Sequence, residues 1–365
     1  MKDQMTPRQR LTATMTGGKT DRFFRYELGA WPSAIKRWKQ EGMPPDASFE
    51  DHFCFDPLLS LPFATGFTDS PVFPPFEEKI IEKGPDWEIV RDKDGIIKKI
   101  LSKDSDLSMP QFLEFPVKTR QDWNEMLKRL DPANVKKLLG DITPAAKKYS
   151  ELPDIPVIMR ACGGFGHPRN LLGDTDLFYM LYEDPDLIHE ILLNWTDLYK
   201  AMIFTLTEEI KIDVLLIWED MCYKNGPLIS PAHFREFILP RYIELIDYAK
   251  ARGIDYVWVD TDGDCLKLIP LFMEANVDAL LPFEVQAGMD VIEIRKTFSN
   301  RLTIIGGIDK RPLATSLEAI RREVDRVLPF FIDSGNYIPC LDHTAPVNIS
   351  YENFLYYLEC VRSYE

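Results

Sequence analysis

Tyr256-Val257-Trp258-Val259-Asp260-Thr261-Asp262-Gly263-Asp264 is the stretch whose reading decides the fold. Its first four residues are β-branched or aromatic and read as a buried strand. Three acids then fall within five residues. The Asp-Gly step marks a sharp turn, and Asp264 is placed to cap a helix over Cys265–Ala275. A strand that ends in clustered carboxylates just before a helix is the pattern of an α/β protein with its chemistry at the strand ends. One acid suffices for the turn and the cap, so Asp260 or Asp262 is expected to carry a function.

Outward from this stretch the same pattern recurs. Pro156–Ala161 reads as a strand running into the Gly-rich loop Cys162–Pro168, which has neither a Walker lysine nor GxGxxG spacing and is expected to line a substrate site. Val214–Trp218 ends in Glu219-Asp220, and Ala279–Phe283 ends in Glu284. Leu302–Ile305 ends in Gly306-Gly307-Ile308-Asp309-Lys310, and Tyr337–Cys340 ends in Leu341-Asp342-His343-Thr344. Amphipathic stretches lie between them; after Asp184-Pro185, for example, Ile188, Ile191, Leu192, Trp195 and Leu198 follow at helical spacing. Strand, polar end and helix at a period of roughly thirty residues are successive βα units. With no Rossmann fingerprint, the expectation is a (β/α)8 TIM barrel rather than a doubly wound sheet.

The N-terminal part is less regular. Thr6-Pro7 opens a first helix, Phe23–Leu28 is a candidate first strand, and Thr119 with Asp122 reads as a capping box. Prolines and aromatics crowd the region between, and Asp94-Gly95 signals a hairpin. We expect residues 1–365 to form a single barrel domain, with 29–130 as an N-terminal elaboration over one end.

Composition bounds the partners. The chain has 365 residues, is 45% hydrophobic, and carries a net charge of −15. That charge argues against nucleic acid and anionic membranes. No apolar run reaches membrane-spanning length, and no secretory apolar segment follows Met1–Met5. Six cysteines without a CxxC pair point to a reducing cytoplasm rather than a disulfide framework.

In a barrel the polar strand ends meet at one rim, bringing together Glu219, Asp220, Asp260, Asp262, Glu284, Asp309, Cys340, Asp342 and His343. Three readings are open. Asp, Glu, Cys and His are the zinc ligand set. The carboxylates and His343 could instead work as acid and base without a metal. Or the group is structural, with Asp309 and Asp342 capping turns and Cys340 a buried inert thiol.

From Thr6 to Tyr364 the chain resembles the uroporphyrinogen decarboxylase superfamily. The resemblance is carried by Arg8-Gln-Arg-Leu with Asp21-Arg22, Glu183-Asp184-Pro185, Trp218-Glu-Asp-Met221 and Asn225-Gly226-Pro227 with Ser230-Pro231. It continues through Pro282-Phe-Glu284, Ala287-Gly288-Met-Asp290, Gly306-Gly-Ile-Asp309-Lys310, Asp342-His343 with Pro346, and Tyr351-Glu-Asn353. It implies the barrel independently. The Arg-x-Ala-Gly-Arg motif of the true decarboxylases is absent. In the corrinoid-dependent methyltransferase branch, zinc is bound by a His-x-Cys pair and a distal Cys. Here Asp260-Thr261-Asp262 stands in place of the pair, Cys340 in place of the distal Cys, and Glu284 where related enzymes place an acidic ligand.

The resemblance therefore implies zinc held by Asp260, Asp262, Glu284 and Cys340. An oxygen-rich site suits polarising an ether oxygen. The expected function is O-demethylation of a methoxylated aromatic, or of a similar small-molecule methyl donor, with the methyl group passing to the cobalt of a separate corrinoid protein. Glu219, Asp220 and His343 are the expected acid/base groups, and Phe24, Trp31, His167, Trp218 and Asp309 the expected substrate contacts. The alternative is a metal-free, decarboxylase-like enzyme acting on a carboxylated substrate. The identity of the donor, the direction of transfer and a homodimeric state are left open.

Overall fold

The computed structural model describes residues 5–61, 69–101, 109–152, 154–332 and 334–365. Among these the strands run β1 (Leu59–Ser60), β2 (Lys79–Lys83), β3 (Trp87–Arg91), β4 (Ile97–Leu101), β5 (Gln111–Glu114), β6 (Val157–Cys162), β7 (Val214–Trp218), β8 (Cys222–Tyr223), β9 (Gly226–Pro227), β10 (Tyr256–Asp260), β11 (Ala279–Leu281), β12 (Thr303–Ile305) and β13 (Tyr337–Ile338). Seven of them form one parallel sheet in the order β1-β6-β7-β10-β11-β12-β13. Helices such as Pro185–Thr207, Leu239–Ala251, Val291–Phe298 and Leu317–Phe331 connect consecutive strands.

Side chains alternate across each strand. On β10, Val257 and Val259 face the outer core against the helices, where Ile191, Trp195 and Leu245 also pack. Trp258 faces an inner core with Ile158, Leu216, Leu281, Ile305 and Ile338. Both faces of the sheet are buried, as a parallel sheet requires.

The sheet curls round this inner core, but among the described residues no ladder joins β1 to β13. It is a seven-stranded half-barrel rather than the closed eight-stranded barrel expected. Phe23–Leu28, the expected first strand, lies along the seam without strand pairing. It is tied there by Asp56 N–H donating to the Arg25 carbonyl at 2.9 Å, by Leu341 N–H donating to the Glu27 carboxylate at 3.1 Å, and by a parallel bridge between Ala30 and Ala345. The cause is local. Pro339 has no N–H to offer directly after β13, and the Glu27 side chain takes the donor that follows.

The helix Pro7–Met15, opened by the expected Thr6 cap, lies against the N-terminal ends of the strands. Arg8 reaches Asp154 at 2.6 Å and Asp213 at 3.0 Å, just before β6 and β7. Arg10 reaches Asp21 at 2.7 Å and Asp56 at 2.6 Å. Leu11 and Met15 enter the inner core.

Within the elaboration, β2-β3-β4-β5 form an antiparallel sheet with the expected hairpin between β3 and β4. Gly95 turns it at φ 90°, and a Cβ there would lie 2.8 Å from the Phe76 ring. The helix expected over Cys265–Ala275 is shorter, Ile269–Glu274. Pro270 is tolerated only in a first turn, so the helix cannot begin much earlier. Asp264 consequently makes a turn, accepting from Leu266 N–H at 3.0 Å, rather than a cap. No helix among the described residues is long and apolar enough to cross a membrane.

Candidate active site

The C-terminal ends of β6, β7 and β10 and the loop after β13 enclose a cavity of about 270 Å³, with Tyr26, Arg160, Trp218, Asp260, Asp262 and His343 among its walls. Asp260 shares the inward face of β10 with Trp258. Beyond it the chain turns at Gly263 with φ 75°, where a Cβ would sit 2.8 Å from the Cys222 carbonyl carbon, so only glycine fits. That turn sets Asp262 at the mouth.

His343 is delivered from the opposite side. Asp342, buried, accepts from Val285 N–H at 3.0 Å and Lys310 N–H at 3.0 Å, and its own N–H donates to the Ile308 carbonyl at 2.8 Å. This fixes the loop so that His343 Nε2 lies 3.2 Å from the Asp262 carboxylate. Burial works against the His343 cation, but the hydrogen bond and charge of Asp262 outweigh it and raise its pKa above 6.5. Burial pushes the Asp260 carboxyl well above the usual range, and the charges of Asp262 and Asp220 add to this. Asp220 is raised too, by burial first and by Asp262 second. At the mouth Asp262 therefore favours the His343 imidazolium, and burial favours the neutral form of the Asp260 carboxyl.

Several expected residues lie elsewhere. Glu219 is fully buried behind the cavity wall. Its Oε1 accepts from Gly164 N–H at 2.8 Å and from the Tyr242 hydroxyl, and its Oε2 accepts from Phe165 N–H at 2.7 Å and Gly166 N–H at 3.1 Å. It anchors the Gly-rich loop rather than facing a substrate. The loop leads into the helix Gly166–Leu172, whose Arg169 donates to the Asp220 carbonyl at 2.9 Å and packs 5.0 Å from the Trp218 ring centroid. Asp309 is gripped by Arg311 at 2.7 Å; burial alone would raise its carboxyl, and Arg311 reverses that and holds it below the usual range. His167 is a core histidine 2.9 Å from the Ser70 hydroxyl, with its pKa pushed down to about 3 by burial. Phe24 packs in the inner core, and Trp31 is 39% exposed ahead of the helix Pro32–Gln40. Of the five expected substrate contacts, Trp218 alone is in the cavity wall.

The expected zinc ligands do not gather. Cys340 is wholly buried in the inner core, and burial, with Glu27, Asp342 and Asp260 nearby, pushes its thiol far above the thiolate range. Glu284 accepts from Gly263 N–H at 3.0 Å and lies 3.6 Å from Lys310 Nζ. Asp262 is engaged by His343. Among the described residues no three His, Cys, Asp or Glu side chains come together as a metal site. Four ligands at about 2.0–2.3 Å from one ion do not fit this arrangement, and no step below runs through a metal.

Sequence reasoning missed Tyr26 and Arg160. Arg160 did leave a signal: it is the one charged residue in the otherwise apolar Val157–Cys162 strand, on the inward-facing parity with Ile158.

A family model described as uroporphyrinogen decarboxylase (URO-D) matches residues 103–364. Two curated relatives, both named uroporphyrinogen decarboxylase, come from Vesicomyosocius okutanii and Chlorobium limicola. The first is 23% identical over 189 residues (51% of this chain, 51% of the relative), and the second 22% over 186 residues (50% and 51%). The chain thus spans about half the length of the curated relatives it matches. A solved structure of a methyltransferase from Methanosarcina mazei is similar with a TM-score of 0.64 at 14% identity, covering 99% of both chains. At that identity the likeness is one of fold.

Proposed function

Because the chain belongs to the uroporphyrinogen decarboxylase family, we propose that it is a methyltransferase of that family, removing the methyl group of a methoxylated aromatic and passing it to the cobalt of a separate corrinoid protein. The observation that carries this is the His343–Asp262 pair at the mouth of a cavity walled by Tyr26 and Trp218. The fold shared with the Methanosarcina mazei methyltransferase supports it.

Demethylating an aryl ether breaks the bond between oxygen and methyl carbon. The electron pair stays on the oxygen, which then takes a proton to become a phenol. The corrinoid supplies the two-electron nucleophile that accepts the methyl group. This chain's own residues supply the proton and the alignment. His343, held as a cation by Asp262, donates from a ring N–H to the departing oxygen and regains its proton from solvent. Tyr26 and Trp218 offer the faces against which an arene can lie. Asp260, in its neutral form, is a hydrogen-bond donor deeper in the wall.

The test is methyl transfer from a methoxylated arene to an added corrinoid protein, followed by cobalt absorbance and by the phenol released. His343→Gln should lower turnover about 10²–10⁴-fold, the usual worth of a positioned acid. Wild-type turnover in that variant, with normal folding, would sink the assignment. A second reading is a metal-free decarboxylase in which the neutral Asp260 protonates the carbanion left by CO2. It is favoured by Asp260 and Arg160 lining the same cavity, and release of CO2 in place of a phenol would select it.

A further inference from the structure

We infer that Lys310 is a positioning residue for the His343–Asp262 pair, its ammonium clamping the two loops that carry the pair. The inference rests on the reading above only for what the pair does; the clamp stands on its own geometry.

The two halves of the pair come from separate places. Asp262 follows β10 and His343 lies in the loop after β13, with β11 and β12 between those strands in the sheet. Among the described residues no ladder joins β10 to β13. The pair's own contact is 3.2 Å between partly exposed side chains. An ion pair of that kind contributes little by itself and does not order two loops. The ends of β11 and β12 supply the rest. Glu284, after β11, accepts from Gly263 N–H through Oε2 at 3.0 Å, which fixes the residue next to Asp262. Asp342, next to His343, accepts from Val285 N–H through Oδ2 and from Lys310 N–H through Oδ1, each at 3.0 Å. Both carboxylates then meet one ammonium: Lys310 Nζ lies 3.6 Å from Glu284 Oε1 and 3.5 Å from Asp342 Oδ1. The contacts run from Asp262 through Gly263, Glu284, Lys310 and Asp342 to His343, and the pair closes the ring.

Burial and charge agree with this placement. The Lys310 side chain is 17% exposed and that of Asp342 1%, so water and salt screen their attraction less than that of a surface pair. Burial pushes the Asp342 carboxyl up, and Lys310 is the largest influence pulling it back. The same ammonium works against the His343 cation, whereas Asp262 favours it. Lys310 thus serves the two carboxylates rather than the charge of His343, and its benefit to the pair is one of position. Arg311, the next residue, is paired with Asp309 at 2.7 Å, and Arg169 with Asp220 at 3.7 Å. Among the described residues no other cation pairs with Glu284 or Asp342, so the clamp depends on Lys310.

The experiment reads the His343 ring N–H by proton NMR at one fixed pH below 6.5, without any corrinoid protein. Bonded to Asp262, this N–H should be shielded from exchange with water and give a downfield resonance, identified by its absence in His343→Gln. Lys310→Met keeps the apolar stem and removes the ammonium, so the resonance should be lost in a protein that folds by circular dichroism. Lys310→Arg should retain it. Should Lys310→Met fail to fold, Glu284→Gln decides, since it keeps an oxygen for Gly263 N–H and removes the attraction to Lys310. In the corrinoid assay Lys310→Met should lower kcat about 100-fold, the usual cost of a misplaced group, with KM within about threefold. A resonance unchanged in folded Lys310→Met, or in Glu284→Gln where that variant decides, overturns the clamp and leaves the acid reading standing. Equal loss in Lys310→Arg marks a packing role and also overturns it. A wild-type spectrum without the resonance overturns the pair and the clamp together. Loss in Lys310→Met and retention in Lys310→Arg, with no methyl transfer by wild type, supports the clamp and overturns the methyltransferase reading instead.

Discussion

Replacing Glu219 by glutamine distinguishes an anchor from a reacting acid. Each carboxylate oxygen has two donors: Gly164 N–H and the Tyr242 hydroxyl on Oε1, Phe165 N–H and Gly166 N–H on Oε2. Burial pushes the carboxyl up, and these four donors pull it only part of the way back, so its pKa stays raised. The three backbone N–H donors favour the ionised form, while the Tyr242 hydroxyl can turn to accept from a protonated one. Glutamine keeps one oxygen. Its better orientation places that oxygen at the Oε2 site, where both N–H bonds survive in weaker, uncharged form. The amide N–H2 then opposes Gly164 N–H, while the Tyr242 hydroxyl can turn to accept from it. One orphaned buried donor costs about 1–3 kcal/mol, and lost charge assistance adds about 1 kcal/mol, so Glu219→Gln should destabilise the fold by about 2–4 kcal/mol. Tyr242→Phe removes one of the four bonds and should cost about 1 kcal/mol. Urea unfolding followed by far-UV circular dichroism measures both as shifts in midpoint at a common slope. Turnover of the folded variant should stay within about tenfold of wild type, well short of the loss expected for a general acid. A Glu219→Gln protein with the wild-type midpoint and a turnover lowered by about 100-fold or more would refute the anchoring role.

Because the pKa of His343 is raised, its cation is fully present below 6.5 and is lost as pH rises through the higher folded value. Turnover should fall over that same limb, and Asp262→Asn should move the fall to lower pH; an unmoved limb would remove the pair as the acid. Zinc measured by elemental analysis should lie well below one per chain and be unchanged by Cys340→Ser, while the buried hydroxyl lowers stability by about 1–3 kcal/mol. Stoichiometric zinc lost with Cys340→Ser would restore the ligand set. Arg10 holds Asp21 down to about 2 from 3.8, so this carboxylate contributes stability above 3.8 that disappears as pH falls toward about 2. Asp21→Asn should flatten that limb in denaturation curves taken across it, and an unchanged limb would show the ion pair to be inert.

The repeating βα units were legible because parallel strands buried on both faces leave runs such as Val214–Trp218, and helices leave stripes such as Ile188 to Leu198. Strand ends were legible for the same reason: polarity returns where burial stops. What a polar residue does there was not legible. Glu219 and Asp262 both follow apolar strands, yet one turns under a loop and the other over the rim, and tertiary contacts with Gly163–Gly166 and His343 decide between them. Nor was the seam legible. Phe23–Leu28 has strand composition, but it meets β13 where Pro339 offers no N–H and the Glu27 side chain takes the Leu341 donor. The place of Cys340 in the sequence matches a family ligand, and its burial in the apolar inner core follows from the parity of its strand, which the motif alone does not carry.

The seam also sets a timetable for synthesis. Glu27 meets Leu341 and Tyr357, and Arg25 meets Glu365, contacts that span 314, 330 and 340 residues. On a ribosome, the segment made early must wait for residues 341–365 before the inner core can be shut. Throughout that interval Trp258, Leu216 and Ile305 face an open groove. Nascent chains stalled before residue 341 should therefore remain dependent on chaperones, however complete their helices and strands have become.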